Sequence, residues 1–214
     1  ARPFVSTILV VAVADCTGHG VPGAFMSMLG IAFLNEVVIK DNIVRPGKIL
    51  EALRQNVIRA LHQTGKEEEA KDGMVAGICT IEKEKHQLIF AGAKTPLFHL
   101  RAGILNEIKG DNMPVSIYYR MDDYTEKTIF AENDDLFYLF SDGYSDQFGG
   151  PGADKIKNKG LKDLLVSIYA EPMIHQKNLL EKHLNDWMMH INPATGKPFV
   201  QVDDILLLGF KWKQ

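Results

Sequence analysis

The chain has 214 residues, of which 46% are hydrophobic and 24% charged, and its formal net charge is −3. This composition is typical of a soluble globular protein long enough to bury a substantial core. The slightly acidic balance provides no basic face, which argues against nucleic-acid binding. The two cysteines, Cys16 and Cys79, form neither a disulfide framework nor a zinc-type spacing and are typical of a reducing compartment.

The first clear element is an apolar run, Ile8 to Ala14, that stops at Asp15. A short apolar run bounded by turn residues predicts a buried strand. Small residues follow, and Pro22 opens an apolar helix that is predicted to reach about Ile39. The helical spacing predicts five core positions: Phe25, Leu29, Ala32, Phe33 and Val37. Two methionines of the same helix, Met26 and Met28, are interpreted as core filling.

The sequence also bears on the cellular location. No apolar segment approaches the roughly 18 residues of a membrane span, and the N-terminus lacks the basic-then-apolar order of a signal peptide. We therefore predict a cytoplasmic domain that makes no membrane contact itself. Tethering to a membrane sensor through further N-terminal regions stays open.

The middle and the end of the chain mix strands and helices. An amphipathic helix is predicted from Pro46 to about Gln63, and Leu136 to Ser141 is predicted to be a central strand covered on both faces. Later helices are predicted at 161–169 and 174–191. Further strands, with links of hairpin length, are predicted at 74–82, 87–93, 96–101, 104–109, 126–131 and 204–212. This order predicts a single α+β layered domain.

Three aspartates each lie where an apolar strand meets a loop: Asp15, Asp142 and Asp203. Carboxylates at such positions are costly to bury unless a positive charge pairs with them, and no lysine or arginine is adjacent in sequence. A divalent cation would be a suitable partner, and oxygen-only ligands favour Mg²⁺ or Mn²⁺ over zinc. The alternative is structural, because Asp before Gly is among the commonest turn pairs.

Three segments carry a resemblance to a known family: VADCTGHGVPGAFMSML, LFSDGYSDQFGG and VDDILLLGF. In this order they resemble the signature motifs of the SpoIIE-type (stage II sporulation protein E) branch of the protein phosphatase 2C-like metal-dependent phosphatases. The resemblance covers essentially the whole chain. It implies a four-layer αββα sandwich of two antiparallel sheets flanked by helix pairs. It also implies that residues 1–214 are the C-terminal output domain of a longer bacterial signalling protein, whose first strands are either absent or not included in this sequence.

The resemblance implies roles for individual residues. Asp15 matches the aspartate that bridges two metal ions, and the carbonyl of Cys16 matches the backbone ligand of the second ion. Asp142 and Asp203 match the carboxylates on the first ion, and Asp204 is interpreted as structural. The implied cofactors are two Mn²⁺ or Mg²⁺ ions.

The implied activity is that of a serine/threonine protein phosphatase. A water activated by the metals would hydrolyse phosphoserine or phosphothreonine on a regulatory protein, such as an anti-sigma factor antagonist. The implied partners include an upstream sensory domain acting on the two N-terminal helices, and a homodimer is left open. The alternative is a catalytically silent phosphatase-like module that binds its partner without turnover.

Two other features of the sequence invite a functional interpretation. His19 lies beside the predicted metal loop and could act as a general acid, although a turn residue between two glycines is the preferred interpretation. Lys155, Lys157 and Lys159 could attract a phosphoprotein, but a solvated loop is the preferred interpretation.

Overall fold

A computed structural model describes residues 8–18, 20–66 and 72–213. The described residues divide into two compact units. The first comprises the described part of the chain up to Leu97 together with Ile108–Asn133, and the second comprises Phe98–Glu107 and Asp134–Lys213. Each unit has a four-stranded antiparallel sheet and its own helices, which confirms the predicted α+β class.

The sheet of the first unit has the strand order β1-β2-β3-β6. Its strands are β1 (Ile8–Cys16), β2 (Met74–Glu82), β3 (Gln87–Ala93) and β6 (Lys127–Phe130). Helix α1 (Gly20–Asn35) continues as a π-helical turn over Glu36–Lys40, and α2 (Pro46–Ala60) follows. Every neighbouring pair of strands is antiparallel.

Helix α2 supplies much of the core of the first unit, as its sequence predicts. Four apolar side chains on one of its faces are at most 3% exposed: Ile49, Leu50, Leu53 and Val57. They belong to the same buried cluster as Ile78 of β2 and Ala91 of β3. Because full burial of one such side chain contributes about 1.5–3 kcal/mol, this face alone accounts for the position of α2 on the sheet.

The prediction that β1 is a buried strand was wrong. Among the described residues β1 pairs only with β2, at the edge of the sheet, and Val13 is its one buried side chain. Leu9 is 54% exposed. An apolar run indicates a strand, but it does not say how many neighbours the strand has, and this number decides the burial.

Helix α1 differs from its prediction in the same way. Met26 and Val37 are buried, but Phe25 and Met28 are 62% and 67% exposed, and Ala32 is exposed too. The helix is apolar on nearly all sides, so the spacing of its residues could not indicate which side packs on the sheet. The core positions proposed for Phe25, Met28 and Ala32 were therefore wrong.

The prediction that no segment approaches the length of a membrane span also needs correction. Gly20–Lys40 is a helical stretch of 21 residues and, in the part of the chain that is described, the one stretch long and apolar enough to cross a membrane by length and composition. Its glycines, serine and asparagine interrupt the apolar run in sequence but add no charge. Core helices of soluble proteins pass the same test, so the finding concerns composition alone.

The sheet of the second unit has the strand order β12-β7-β4-β5. Its strands are β4 (Leu97–Arg101), β5 (Ile104–Ile108), β7 (Leu136–Phe140) and β12 (Leu207–Lys211). The helices are α3 (Gly143–Asp146), α4 (Lys157–Ser167) and α5 (Met173–Met188). Two short ribbons join β8 (Phe148–Gly149) to β9 (Asp154–Lys155), and β10 (Ile191–Asn192) to β11 (Lys197–Pro198).

Strand β7 is the central strand that its sequence predicts. All five of its residues are buried, and it lies between β12 and β4. The predicted hairpin between β3 and β4 was wrong, because the two strands belong to different sheets. Lys94, in the link, has a φ of 59°, so the backbone turns away from the β3 direction there. A short link limits how far apart two strands can be, but it does not require that they pair.

Candidate active site

The loop after β7 is bonded to the segment that leads into β12. The hydroxyl of Ser141 donates to the carbonyl of Asp204 at 2.9 Å and accepts from the amide of Leu206 at 3.0 Å. The amide of Ser141 in turn donates to the carbonyl of Leu206 at 2.9 Å. These three bonds hold the end of β7 in register with the start of β12, next to Asp142 and Asp203.

At Gly143 the loop after β7 approaches the backbone of Asp204 more closely than any other residue would allow. A Cβ atom at Gly143 would lie 2.4 Å from the carbonyl oxygen of Asp204, well inside the closest distance that real Cβ atoms show. The absence of a side chain therefore lets the two backbones touch. The Asp-Gly pair of the sequence is here a close-packing requirement, and it brings Asp142 to the segment that carries Asp203.

Asp142 and Asp203 interact electrostatically. Burial raises the pKa of the Asp142 carboxyl, and the negative charges of Asp203 and Asp146 raise it further, against a smaller lowering by Lys155. The carboxylate of Asp203 accepts the amide of Asp204 at 2.8 Å. Like charges held together in this way would be stabilised by a cation, and an all-oxygen donor set fits a hard divalent ion such as Mg²⁺ or Mn²⁺. The residues present thus fit the predicted kind of metal.

The structure adds two charged residues to this site: Asp146, which the sequence prediction did not name, and Lys155, which it did not assign to the site. Lys155 donates to the carboxylate of Asp146 at 2.8 Å, and both side chains are only partly exposed. Lys155 is therefore less solvated than predicted. Lys157 and Lys159 are exposed, as predicted, but they belong to the first turn of α4 and not to a loop. In the sequence, the i,i+4 spacing of Asp142 and Asp146 was the one indication that Asp146 belongs to the site.

Asp15 and Cys16 end β1 in the first unit, opposite Val75 and Met74 of β2. The loop that follows is held to the start of β2 by Thr17. Its amide donates to the carbonyl of Gly73 at 2.9 Å, and its hydroxyl accepts the amide of Gly73 at 2.9 Å. This reciprocal pair orients the backbone immediately after Asp15.

The beginning of α1 lies close to the same loop. A Cβ atom at Gly23 would lie 2.6 Å from the carbonyl oxygen of Gly18, so a glycine is needed there.

Burial raises the pKa of the Cys16 thiol, which makes the side chain a poor nucleophile at neutral pH. The use of the Cys16 carbonyl as a metal ligand stays a prediction. His19 lies outside the described residues.

Comparison with known proteins identifies the family. Residues 6–213 match the sequence profile of the family described as Stage II sporulation protein E (SpoIIE). The chain belongs to the SpoIIE family. A search of curated protein sequences found no significant match.

Solved structures show the same fold for this SpoIIE-family chain. The SiaA-PP2C domain of Pseudomonas aeruginosa is 27% identical, with a TM-score of 0.80 over 95% of this chain and 76% of that one. The PP2C phosphatase domain of SpoIIE from Bacillus subtilis, solved with a fragment of its regulatory domain, is 16% identical, with a TM-score of 0.71 over 94% and 54%. RsbX, solved in complex with magnesium, is 16% identical, with a TM-score of 0.58 over 96% and 82%. The fold is that of protein phosphatase 2C-like phosphatases.

The structure of the SpoIIE-family chain brings together two of the predicted site residues. Asp142 and Asp203 are neighbours within the second unit, whereas Asp15 and Cys16 belong to the first. Within residues 8–18, 20–66 and 72–213, no group of three or more His, Cys, Asp or Glu side chains is placed to hold a metal ion. The backbone carbonyl of Asp204 accepts the Ser141 hydroxyl, while Asp204 itself is exposed. The metal-binding roles of the four predicted ligands stay predictions: Asp15, Cys16, Asp142 and Asp203.

Proposed function

We propose that this chain is a metal-dependent protein serine/threonine phosphatase domain. Its substrate would be phosphoserine or phosphothreonine on a regulatory protein, such as an anti-sigma factor antagonist. Membership of the SpoIIE family and the protein phosphatase 2C-like fold support the reaction class. The observation that carries the proposal is the Ser141–Gly143 contact with Asp204–Leu206, because it holds Asp142, at the end of the buried strand β7, beside the segment that carries Asp203.

The proposed site would hold two Mg²⁺ or Mn²⁺ ions. Asp142 and Asp203 would bind one of them, Asp15 would bridge both, and the carbonyl of Cys16 would bind the second. Such ions, when bound, supply Lewis-acid stabilisation of a phosphoryl group and an acidified water. The side chains of this chain supply the negative charge that holds the ions, and Lys155 keeps Asp146 paired beside them. No serine, cysteine or histidine nucleophile is required.

Removal of the metal tests this proposal directly. We expect Mn²⁺-dependent hydrolysis of p-nitrophenyl phosphate that disappears with EDTA and returns when Mn²⁺ is added in excess. The Asp15→Asn variant should lose most of this activity, because one carboxylate charge would be missing between the two ions. Initial rates at several Mn²⁺ concentrations measure both effects.

The outcomes of this experiment separate the two candidate functions. Equal rates for the wild type and Asp15→Asn would refute the role of Asp15. A wild type that shows no Mn²⁺-dependent turnover, while still binding a phosphoprotein, would refute the phosphatase proposal and support the catalytically silent module.

We further propose that this cytoplasmic domain is regulated through α1, by pairing with a second copy under the control of an upstream sensory domain. One side of α1 exposes four large apolar side chains, each at least 62% exposed: Val21, Phe25, Met28 and Ile31. Four large apolar side chains exposed on one side of a helix form the kind of patch that marks protein–protein interfaces. A second copy offers an identical surface and is therefore the proposed occupant.

The Phe25→Ser and Met28→Ser double variant tests this pairing. We expect it to shift the chain from dimer to monomer in multi-angle light scattering, because two of the apolar contacts would be lost. Ile104→Ser is the matched control, since Ile104 is 67% exposed but lies on β5. A wild type that is monomeric at all accessible concentrations, or a double variant that is still dimeric, would contradict the proposal.

A further inference from the structure

Besides the candidate active site, the second unit contains an apolar pocket of about 480 Å³, which we call the hairpin pocket. The ribbon of β10 and β11 forms one side, and the segment after α3 forms the other. Seven of its lining residues are apolar: Phe148, Ala153, Pro193, Pro198, Phe199, Val200 and Val202. This volume is within the range of pockets that bind ligand groups.

Two residues that line the hairpin pocket are close in sequence to the carboxylates of the candidate active site. Val202, which lines it, immediately precedes Asp203. Phe148, on the opposite side, lies two residues after Asp146, and the ammonium group of Lys155 is 5.5 Å from the centre of the Phe148 ring while it bonds Asp146. A group held near the carboxylate pair could therefore extend its neighbouring residues into the pocket without leaving the second unit.

Buried hydrogen bonds link the two sides of the pocket and fix the distance between them. Gln147 is 0% exposed, and its amide nitrogen donates to the carbonyls of Phe148 and Val200, both at 2.9 Å. The turn of the ribbon is closed by the carbonyl of Asn192, which accepts the amide of Gly196 at 2.9 Å. Because the walls are already ordered, an occupant would lose little free energy in organising them.

The lining leaves apolar surface uncovered beside charged groups. Val200 and Val202 are 74% and 58% exposed. Lys197 also lines the pocket, and the ammonium group of Lys155 lies beside the ring of Phe148 while it pairs with Asp146. An apolar pocket with cationic neighbours suits a peptide in which an apolar residue stands next to a phosphorylated, doubly negative one.

We propose that the hairpin pocket binds the apolar side chain adjacent to the phosphorylated residue of the protein substrate and so selects protein substrates by local sequence. This inference rests on the proposed phosphatase function. Phe148 and Val200 are the specificity-determining residues. They contact the substrate peptide, and they take no part in holding the metal.

The test compares two synthetic phosphoserine peptides, one with leucine and one with glycine on both sides of the phosphoserine, and p-nitrophenyl phosphate as the small ester. With Mn²⁺ present, we expect the wild type to prefer the leucine peptide by about 10-fold or more in kcat/KM, and Val200→Ser or Phe148→Ala to reduce the preference below about 3-fold. Turnover of p-nitrophenyl phosphate should stay within about twofold of the wild type in both variants. Ile104→Ser, on β5, is the control with an equally exposed apolar residue.

Fluorescence anisotropy of the labelled peptides gives a second readout that does not need turnover. Loss of leucine-peptide binding in Val200→Ser supports the pocket even if the wild type shows no hydrolysis, a result that would refute the phosphatase function alone. Active wild type without a peptide preference, or a preference retained in both variants, would overturn the pocket. A change of oligomeric state in Val200→Ser without a change in peptide binding would show that a second copy occupies it, and would overturn the inference too. Equal melting temperatures check that the variants are folded.

Discussion

The Asp142→Asn variant should lose Mn²⁺-dependent phosphatase activity by about 100-fold or more, because metal catalysis contributes several kcal/mol and each 1.36 kcal/mol is tenfold in rate. Asparagine keeps the size of the side chain and the backbone contacts of the loop but removes one negative charge. The variant should also lose the rise in melting temperature that Mn²⁺ causes in the wild type, because a ligand stabilises a protein only through a site in its folded state. Rates with p-nitrophenyl phosphate and thermal shifts with increasing Mn²⁺ measure the two effects.

Asp204→Asn is the matched control, because it removes the same charge one residue after Asp203. The structural contribution of Asp204 is its backbone carbonyl, which accepts the Ser141 hydroxyl and is unchanged by the substitution. We expect it to keep activity and the Mn²⁺ thermal shift close to those of the wild type. Similar losses in Asp142→Asn and Asp204→Asn would show that overall negative charge, and not a metal ligand, is responsible.

The Gly143→Ala variant should damage the site without changing any charge. Its Cβ would lie 2.4 Å from the carbonyl oxygen of Asp204, so the loop and the β12 segment must separate. Overpacking of this kind costs about 1–3 kcal/mol, and each kcal/mol lowers the melting temperature of a chain of this size by about 2–4 °C. A displacement of Asp142 by about 1 Å can lower the rate by about 100-fold.

Gly152→Ala is the control for this second prediction. Gly152 is exposed, and a Cβ atom there would meet no atom within 4 Å. We expect its melting temperature and its rate to equal those of the wild type, as measured by thermal denaturation and the same phosphatase assay. If Gly143→Ala kept wild-type stability and activity, the contact between the end of β7 and Asp204 would not be what positions Asp142.

Sequence patterns predicted the elements best where one face is apolar and the other polar. The bounds of β2 and β3 are as predicted, and α2 buries the predicted stripe. The prediction failed for α1 and β1, whose apolar residues are not confined to one face. Periodicity indicates which side of an element faces the core only when the two sides differ.

The candidate site could be predicted in part for a similar reason. Asp142 follows an apolar segment and Asp203 precedes one, and both positions can be read from the sequence. The pairing of Lys155 with Asp146 is not, because it depends on the ribbon of β8 and β9 turning back towards α3. The hairpin pocket depends in the same way on the hydrogen bond between Gln147 and Val200, which are 53 residues apart in the sequence.

The sequence by itself therefore determined the α+β class, the position of the carboxylates at strand ends and, through three motifs in order, the family. These are properties of neighbouring residues or of short segments. The tertiary structure alone decided that Asp142 stands beside Asp203 and, within the part of the chain that the structure describes, that β1 is an edge strand and one side of α1 is uncovered. Burial and electrostatic contact depend on groups far apart in the chain, and only the folded backbone brings such groups within a few ångströms.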